Sequence, residues 1–213
     1  MKAKTLLFFA IFLFVALLSN AQVKQGRALL GGSISYYNGS NPKLNSFYSD
    51  VQFGKVIKNN SVVGIIGSYS TNNYNFTVTS PNKTTGYSVG FFYRKYKYLA
   101  NNFYFFGELD GSYVHSKNIQ RYYNNVSQNL DSKSNGVAIS FIPGISYSVW
   151  KRMQVELSMP GIAYLGYSHV TTIAANLPPA VSPQKNDVFT AGANLNSNLL
   201  SNFGIGFKFL LGK

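Results

Sequence analysis

Along most of the chain, apolar and polar residues alternate with a period of two, the spacing of a strand with two unlike faces. Phe103, Phe105, Leu109 and Tyr113 share one face with Gly107 and Gly111, while Tyr104, Phe106, Glu108, Asp110 and Ser112 share the other. Met153, Val155, Leu157 and Met159 alternate with Gln154, Glu156 and Ser158. At the far end Phe203, Ile205, Phe207, Phe209 and Leu211 alternate with Asn202, Gly204, Gly206 and Lys208. No apolar stripe of helical period runs to comparable length. The pattern predicts eight strands, over 28–37, 46–57, 62–78, 85–99, 103–117, 136–150, 153–169 and 188–211.

The connections between these segments alternate in length. Lys58–Ser61, Ala100–Asn102 and Lys151-Arg152 read as tight turns. Those around 38–45, 79–84, 118–135 and 170–187 are longer and rich in Asn, Ser, Lys and Pro. An even strand number, with short turns on one side and long loops on the other, is the pattern of an outer-membrane barrel. A soluble antiparallel sandwich would alternate too, but it has no reason to sort its loops by side. Several segments exceed the roughly 9–11 residues that a tilted membrane strand needs, so the surplus should project on the long-loop side. The expected fold is all-β, an eight-stranded antiparallel up-and-down transmembrane β-barrel.

The first residues follow a different rule. Lys2 and Lys4 precede an apolar run from Leu6 to Leu18, shorter than the roughly 20 residues of a spanning helix. Ser19-Asn20-Ala21 then offers small residues at a cleavage site, as in a secretory signal. The expected division is a signal peptide over 1–21, cut between Ala21 and Gln22, and a barrel over 22–213.

The stretch FYFFGELDGSY over Phe103–Tyr113, the hairpin PGISYSVWKRMQVELSMPGIAY over Pro143–Tyr164 and the closing NFGIGFKF over Asn202–Phe209 resemble the eight-stranded outer-membrane β-barrel domain family of Gram-negative bacteria, similar to the small OmpX- and OmpA-type barrels. The resemblance covers the whole region after the signal. It implies an architecture and assembly by the barrel assembly machinery, it is nearly silent on activity, and the roles assigned to such barrels are structural, adhesive or unknown. Such barrels usually end on an aromatic residue. Here the chain ends Leu210-Leu211-Gly212-Lys213, which leaves Phe209 as the aromatic nearest the end.

Composition adds a charge problem. Lys and Arg number 19 against 6 Asp and Glu, a formal net charge of +13, yet only 12% of residues are charged and 16% are aromatic. Cys is absent, which removes disulfides, thiolate metal sites and Cys nucleophiles. On the expected topology Lys24, Arg27, Lys55, Lys58, Lys95, Lys97, Lys151, Arg152, Lys208 and Lys213 fall near the short-turn rim. A basic rim suits anionic lipid headgroups, at about 1 kcal/mol per nearby cation. Nucleic acid would call for a basic patch on one element and a binding motif, and the chain has neither. The acids Asp50, Glu108, Asp110 and Glu156 sit mid-strand on the polar face, where they should point into the lumen. Buried carboxylates must be paired or hydrated. Arg94 is the strong partner placed by this reading. With Asn101 centring the turn, Arg94 faces Glu108 across the two strands, an expected ion pair inside the barrel.

Two histidines and the aromatics complete the inventory of candidate chemistry. His115 precedes Ser116 and His169 follows Ser168, but strand neighbours point to opposite faces. Neither pair can act as nucleophile and base. No His, Asp and Glu cluster has metal-ligand spacing, and no cofactor motif is present. Tyr36, Tyr37, Tyr87, Tyr98, Trp150, Tyr164 and Tyr167 lie near strand ends, as interfacial girdles do. The expected role is that of a non-enzymatic, monomeric surface barrel whose loop Ser116 to Asn135 makes any ligand contact. A small-ligand transport or binding barrel is the first alternative and a lipid-modifying enzyme the second. Mass spectrometry of protein purified from membranes should find Gln22 as the first residue. Retention of Met1 to Ala21 would contradict the cleaved signal.

Overall fold

The computed structural model of the chain describes residues 23–40, 43–75, 81–121, 129–159, 162–174, 183–193 and 203–212. The signal segment lies outside them. Ten strands form one antiparallel sheet: β1 (Ala28–Ser40), β2 (Lys43–Lys58), β3 (Ser61–Asn75), β4 (Pro81–Ala100), β5 (Phe103–Gln120), β6 (Leu130–Trp150), β7 (Met153–Ser158), β8 (Ala163–Ala174), β9 (Gln184–Ala193) and β10 (Gly204–Leu211). Strands β1 to β6 pair in sequence order. Strand β7 pairs with β6 and β10, and β10 returns to β1. The sheet therefore closes into a ring.

Ten strands replace the expected eight because two segments are divided. The segment expected over 153–169 is β7 and β8, which pair with successive stretches of β6: Gly144↔Ser158 belongs to one and Phe141↔Ala163 to the other. Pro160 lies between them in the sequence, and proline has no N–H to give a ladder. The segment expected over 188–211 is likewise two strands, β9 against β8 and β10 against β7.

Closure is tight at the short-turn end. Asn101 and Asn102 both have positive φ (46° and 71°), the conformation of a two-residue hairpin turn matched to strand twist. A register shift precedes each short turn, between Val56 and Lys58, Tyr98 and Ala100, and Ser148 and Trp150. Such bulges add local twist. Residues before β1 fold back over this end. Asn60 N donates to Val23 O (2.9 Å), Gly26 N to Val56 O (2.9 Å) and Gln25 N to Asn59 Oδ1 (3.1 Å). Val23 is fully buried there.

At the other end the strands outrun their expected limits. β1 continues to Ser40 and β2 starts at Lys43, where a loop over 38–45 was expected. β5 and β6 pair out to Gln120↔Leu130, which removes both flanks of the expected loop over 118–135. Ladder bonds join backbone groups, so Asn-, Ser- and Lys-rich stretches extend a sheet as readily as apolar ones once their neighbours are in place. Of the expected contact loop, residues 122–128 lie outside the described part.

Every strand of the ring buries one face and exposes the other. β10 alternates buried and exposed at each position. The exposed face carries the apolar side chains, including Phe91 (74% exposed), Val51 (65%) and Val89 (62%). Among the described residues no helix is long and apolar enough to cross a membrane, which says nothing of strands.

The lumen near the short turns is filled by Phe106, Tyr104, Tyr96, Phe92, Val56, Val62, Leu29 and Leu210, all buried. Two aromatic rings occupy the space over glycines. A Cβ on Gly144 would come within 2.3 Å of the Phe106 ring and 2.6 Å of Leu157 O, while one on Gly64 would come within 2.6 Å of the Phe92 ring. Gly111, on the outer face, has nothing within 4 Å. Overpacking a filled core costs about 1–3 kcal/mol. Gly144→Ala should therefore lower urea stability in detergent by about that amount, whereas Gly111→Ala should leave it unchanged or slightly raised.

Candidate functional site

The site lies inside the ring, and strand parity builds it. On β2 the residues facing inward are Tyr48, Asp50 and Gln52; on β4 they are Phe92, Arg94 and Tyr96; on β5, Phe106, Glu108 and Asp110. The β4–β5 register pairs Phe92↔Asp110, Arg94↔Glu108, Tyr96↔Phe106 and Tyr98↔Tyr104, the facing set that a turn centred on Asn101 predicts. Glu156 arrives from β7 and Lys208 from β10, two elements that are neighbours across the closure.

Arg94 is 2% exposed and uses its whole fork. Its Nε donates to Glu108 Oε2 at 2.6 Å. Its Nη1 donates to both oxygens of Glu156 at 2.8 Å and to the Tyr96 hydroxyl at 3.0 Å. Its Nη2 donates to Gln52 Oε1 at 3.1 Å. The partners are themselves joined: Gln52 Nε2 donates to Glu108 Oε1 (2.9 Å) and Tyr96 OH to Glu156 Oε1 (3.1 Å). The guanidinium carbon lies 4.4 Å from the centroid of the Phe106 ring, a favourable cation–π position. A buried charge persists only when paired and hydrogen-bonded, and this one is.

Lys208 corrects the expectation of a basic rim. Its side chain is 1% exposed, and Nζ donates to Gln52 Oε1 at 2.7 Å with Glu156 Oε2 3.9 Å away. The signal was in the alternation: with Phe207 and Phe209 outward, Lys208 must share the inner face. The lumen thus holds two cations, where the reading of the residues had supplied Arg94 alone. Four carboxylates remain too many for them. Asp50 accepts a hydrogen bond from the Ser33 hydroxyl through Oδ2, but its Oδ1 is buried without a partner, as is Oδ1 of Asp110.

Above Asp110, toward the long connections, the lumen widens into a cavity of about 260 Å³. Its wall mixes the hydroxyls of Ser68, Ser70, Ser88, Ser112, Ser116 and Ser140 with the apolar side chains of Ile66, Val114, Ala138 and Ile142, and Tyr48 and Asp110 lie below. Tyr48 also borders a space of about 20 Å³ beside Asp50 and the Arg94 network, the size of one water.

The histidines lie outside. His115 stacks on Tyr87 (centroids 4.8 Å apart) and its Nδ1 meets Asn135 Oδ1 at 2.6 Å. His169 Nδ1 meets Asp187 Oδ1 at 2.9 Å. Cross-strand pairing sets Tyr87, His115, Asn135, His169 and Asp187 in one outer row. Ser116 is on the inner face, where it lines the cavity. The His169–Asp187 contact was not foreseen, because it needs the β8–β9 register. Among the described residues no group of His, Asp and Glu could hold a metal.

Part of the expected girdle also moves. Tyr36, Tyr87 and Tyr167 are outward and exposed, and Trp150 is exposed beside its turn. Tyr37, Tyr98 and Tyr164 have the parity of the inner face, opposite Ser46, Tyr104 and Ser140, yet Tyr98 (57%) and Tyr164 (43%) remain exposed. Nearness to a strand end had been read without regard to parity.

Removing one partner of a buried ion pair costs about 3–5 kcal/mol, since the other charge is stranded. Arg94→Ala should lose at least that in urea unfolding, while the exposed Lys95→Ala should change stability by no more than about 0.5 kcal/mol. Lys208→Ala should resemble Arg94→Ala rather than Lys95→Ala. Arg94→Ala combined with Glu108→Ala should cost less than the sum of the two. Strict additivity would contradict the coupling.

No protein-family model matches the chain, and no curated protein does. Among solved structures it is similar to the translocator domain of the autotransporter NalP from Neisseria meningitidis, at 12% identity and a TM-score of 0.40, over 99% of this chain and 78% of that one.

Proposed function

We propose that this chain is an integral outer-membrane protein, an eight-stranded barrel in which β7 with β8 and β9 with β10 each count as one crossing, with a structural or surface-interaction role and no catalysis. The observation that carries the reading is the inverted distribution of polarity. Charged residues are buried inside a closed ring, and an apolar belt faces out all round it. Monomeric soluble proteins rarely expose contiguous apolar patches beyond a few hundred Å². On β5 the outward run from Phe103 to Tyr113, at about 3.4 Å per residue and a membrane strand's tilt, is about 25 Å tall, the height of a lipid-facing band. Its upper edge is a cross-strand line of Tyr36, Phe47, Tyr69, Tyr87, Tyr113 and Tyr167, with His, Lys, Asn and Thr beyond.

Both ends are basic, the short-turn end more so. Lys24, Arg27, Lys55, Lys58, Lys95, Lys97, Lys151 and Arg152 lie there, while Lys43, Lys83, Lys117, Arg121, Lys133 and Lys185 are offset in part by Asp131 and Asp187 toward the long connections. Anionic headgroups of the inner leaflet fit the short-turn end. The protein is read as a monomer delivered by a cleaved signal and inserted by the barrel assembly machinery. Its surface role would rest with the long-connection end, where 122–128 is a better deletion target than Ser116 to Asn135, since Ser116 lines the lumen. A transport role sits poorly with the aromatic fill, and aqueous channels belong to barrels of about 16 strands. The serines adjacent to the histidines, Ser116 and Ser168, are on the opposite face of their strands, so neither forms a nucleophile–base pair with its neighbour.

Membrane fractionation with a heat-modifiability gel tests the reading. The protein should float with outer membranes and migrate differently before and after boiling. It should give no porin-sized conductance in planar bilayers, and deletion of 122–128 should preserve insertion. Recovery in the soluble periplasmic fraction would overturn the proposal.

A further inference from the structure

The excess of buried carboxylate stands apart from any role at the surface. Asp110 is 7% exposed and Asp50 8%, each with one oxygen lacking a partner. Arg94 and Lys208 are already committed to Glu108, Glu156 and Gln52. Burying an ionised carboxylate without a partner is costly, so the upper lumen has an unmet demand for positive charge. Directly above Asp110 is the serine-walled cavity of about 260 Å³. Its cross-strand framework is regular: Asp110 faces Ser140 and Phe92, Asp50 faces Ser68 and Ser33, and Tyr48 faces Ser70.

We infer that this cavity is a binding site for a small organic cation, a hydroxylated primary ammonium compound that sets its charge on Asp110 and its hydroxyl among the serines. The chemistry selects that class. An ammonium group brings three N–H donors, and a serine hydroxyl accepts as well as donates, so carboxylate and wall together can satisfy it. A bare metal ion fits less well. Among the described residues no three carboxylate or imidazole groups converge on one point, and the space is far larger than an ion. The volume, a little below the roughly 300 Å³ at which drug-sized pockets begin, suits a small ligand. The aromatic fill below Arg94 makes the cavity a dead end. The site would bind and hold a ligand, not conduct it.

Calorimetric titration of the full protein, purified from membranes in detergent at neutral pH, tests this with ethanolammonium chloride as probe. Ethylene glycol matches its size without the charge, and sodium chloride supplies a cation without the donors. Saturable binding of ethanolammonium, with neither control binding nor competing at equal concentration, is the expected result. Asp110→Asn should weaken it at least tenfold, and Asp131→Asn, remote from the cavity, should leave it unchanged. Ser112→Leu, which fills the cavity and keeps every charge, should also abolish binding, and this second variant serves if Asp110→Asn does not fold by the heat-modifiability gel. Absence of binding to the native protein would mean that protons neutralise the two aspartates, and would overturn the inference. So would competition by sodium, or binding that survives both variants.

Discussion

A guanidinium buried in a cylinder of sheet must find its counter-charges within the reach of its own five N–H donors. Arg94 meets that constraint with groups from three other strands, Gln52 on β2, Glu108 on β5 and Glu156 on β7. Glu108 is its ladder neighbour, but Glu156 reaches it only from across the lumen. The network therefore exists only when the ring is closed, and it ties the first half of the sheet to the last. A slip of one residue in any of these strands would turn a charged side chain out into the apolar belt and leave its partner stranded.

The rest of the lumen is layered around that network. Toward the short turns, aromatic rings fill the space that glycines vacate, as Phe106 does over Gly144 and Phe92 over Gly64. Toward the long connections, small hydroxyl side chains replace the rings and the lumen opens into a cavity. The closed half is densely packed, with buried Ser146, Ser148 and Gln154 beside the rings, and is covered by the segment ending at Arg27. The other half is roomier, with serines and small apolar side chains sharing its wall. Stability and chemistry are thus separated along one axis, with the Arg94 network as the boundary between them.

Legibility from the residues varied with the physics involved. Hairpin register was readable in its outcome but not in its cause: the two-residue turn pairs Ala100 with Phe103, and the bulge between Tyr98 and Ala100 restores the register that sets Arg94 against Glu108. Lys208 was readable in principle, since parity with Phe207 and Phe209 allows only the inner face, but its place near the chain end drew attention to the rim. Tyr37 follows the same rule: its height suits a girdle, but parity turns it inward opposite Ser46. The limits of β1, β2, β5 and β6 were not readable from polarity at all. Asn, Ser and Lys mark loops only statistically, whereas a strand already paired extends its neighbour whatever the side chains are.

The sequence by itself determined what is periodic and local. Alternation set which face of each strand is apolar, and the short turn near Asn101 brought Arg94 and Glu108 onto facing strands, where the bulge between Tyr98 and Ala100 completes their register. Only the tertiary structure decided what depends on closure. Glu156 and Lys208 meet Arg94 and Gln52 because β7 and β10 complete the ring beside β1. The serine-bearing wall becomes a cavity because strands far apart in the chain curve around it, and Asp110 becomes a site because that cavity ends on it. Local spacing constrains pairs one turn apart, and a lumen is made of residues that share a height on different strands, which no spacing along the chain records.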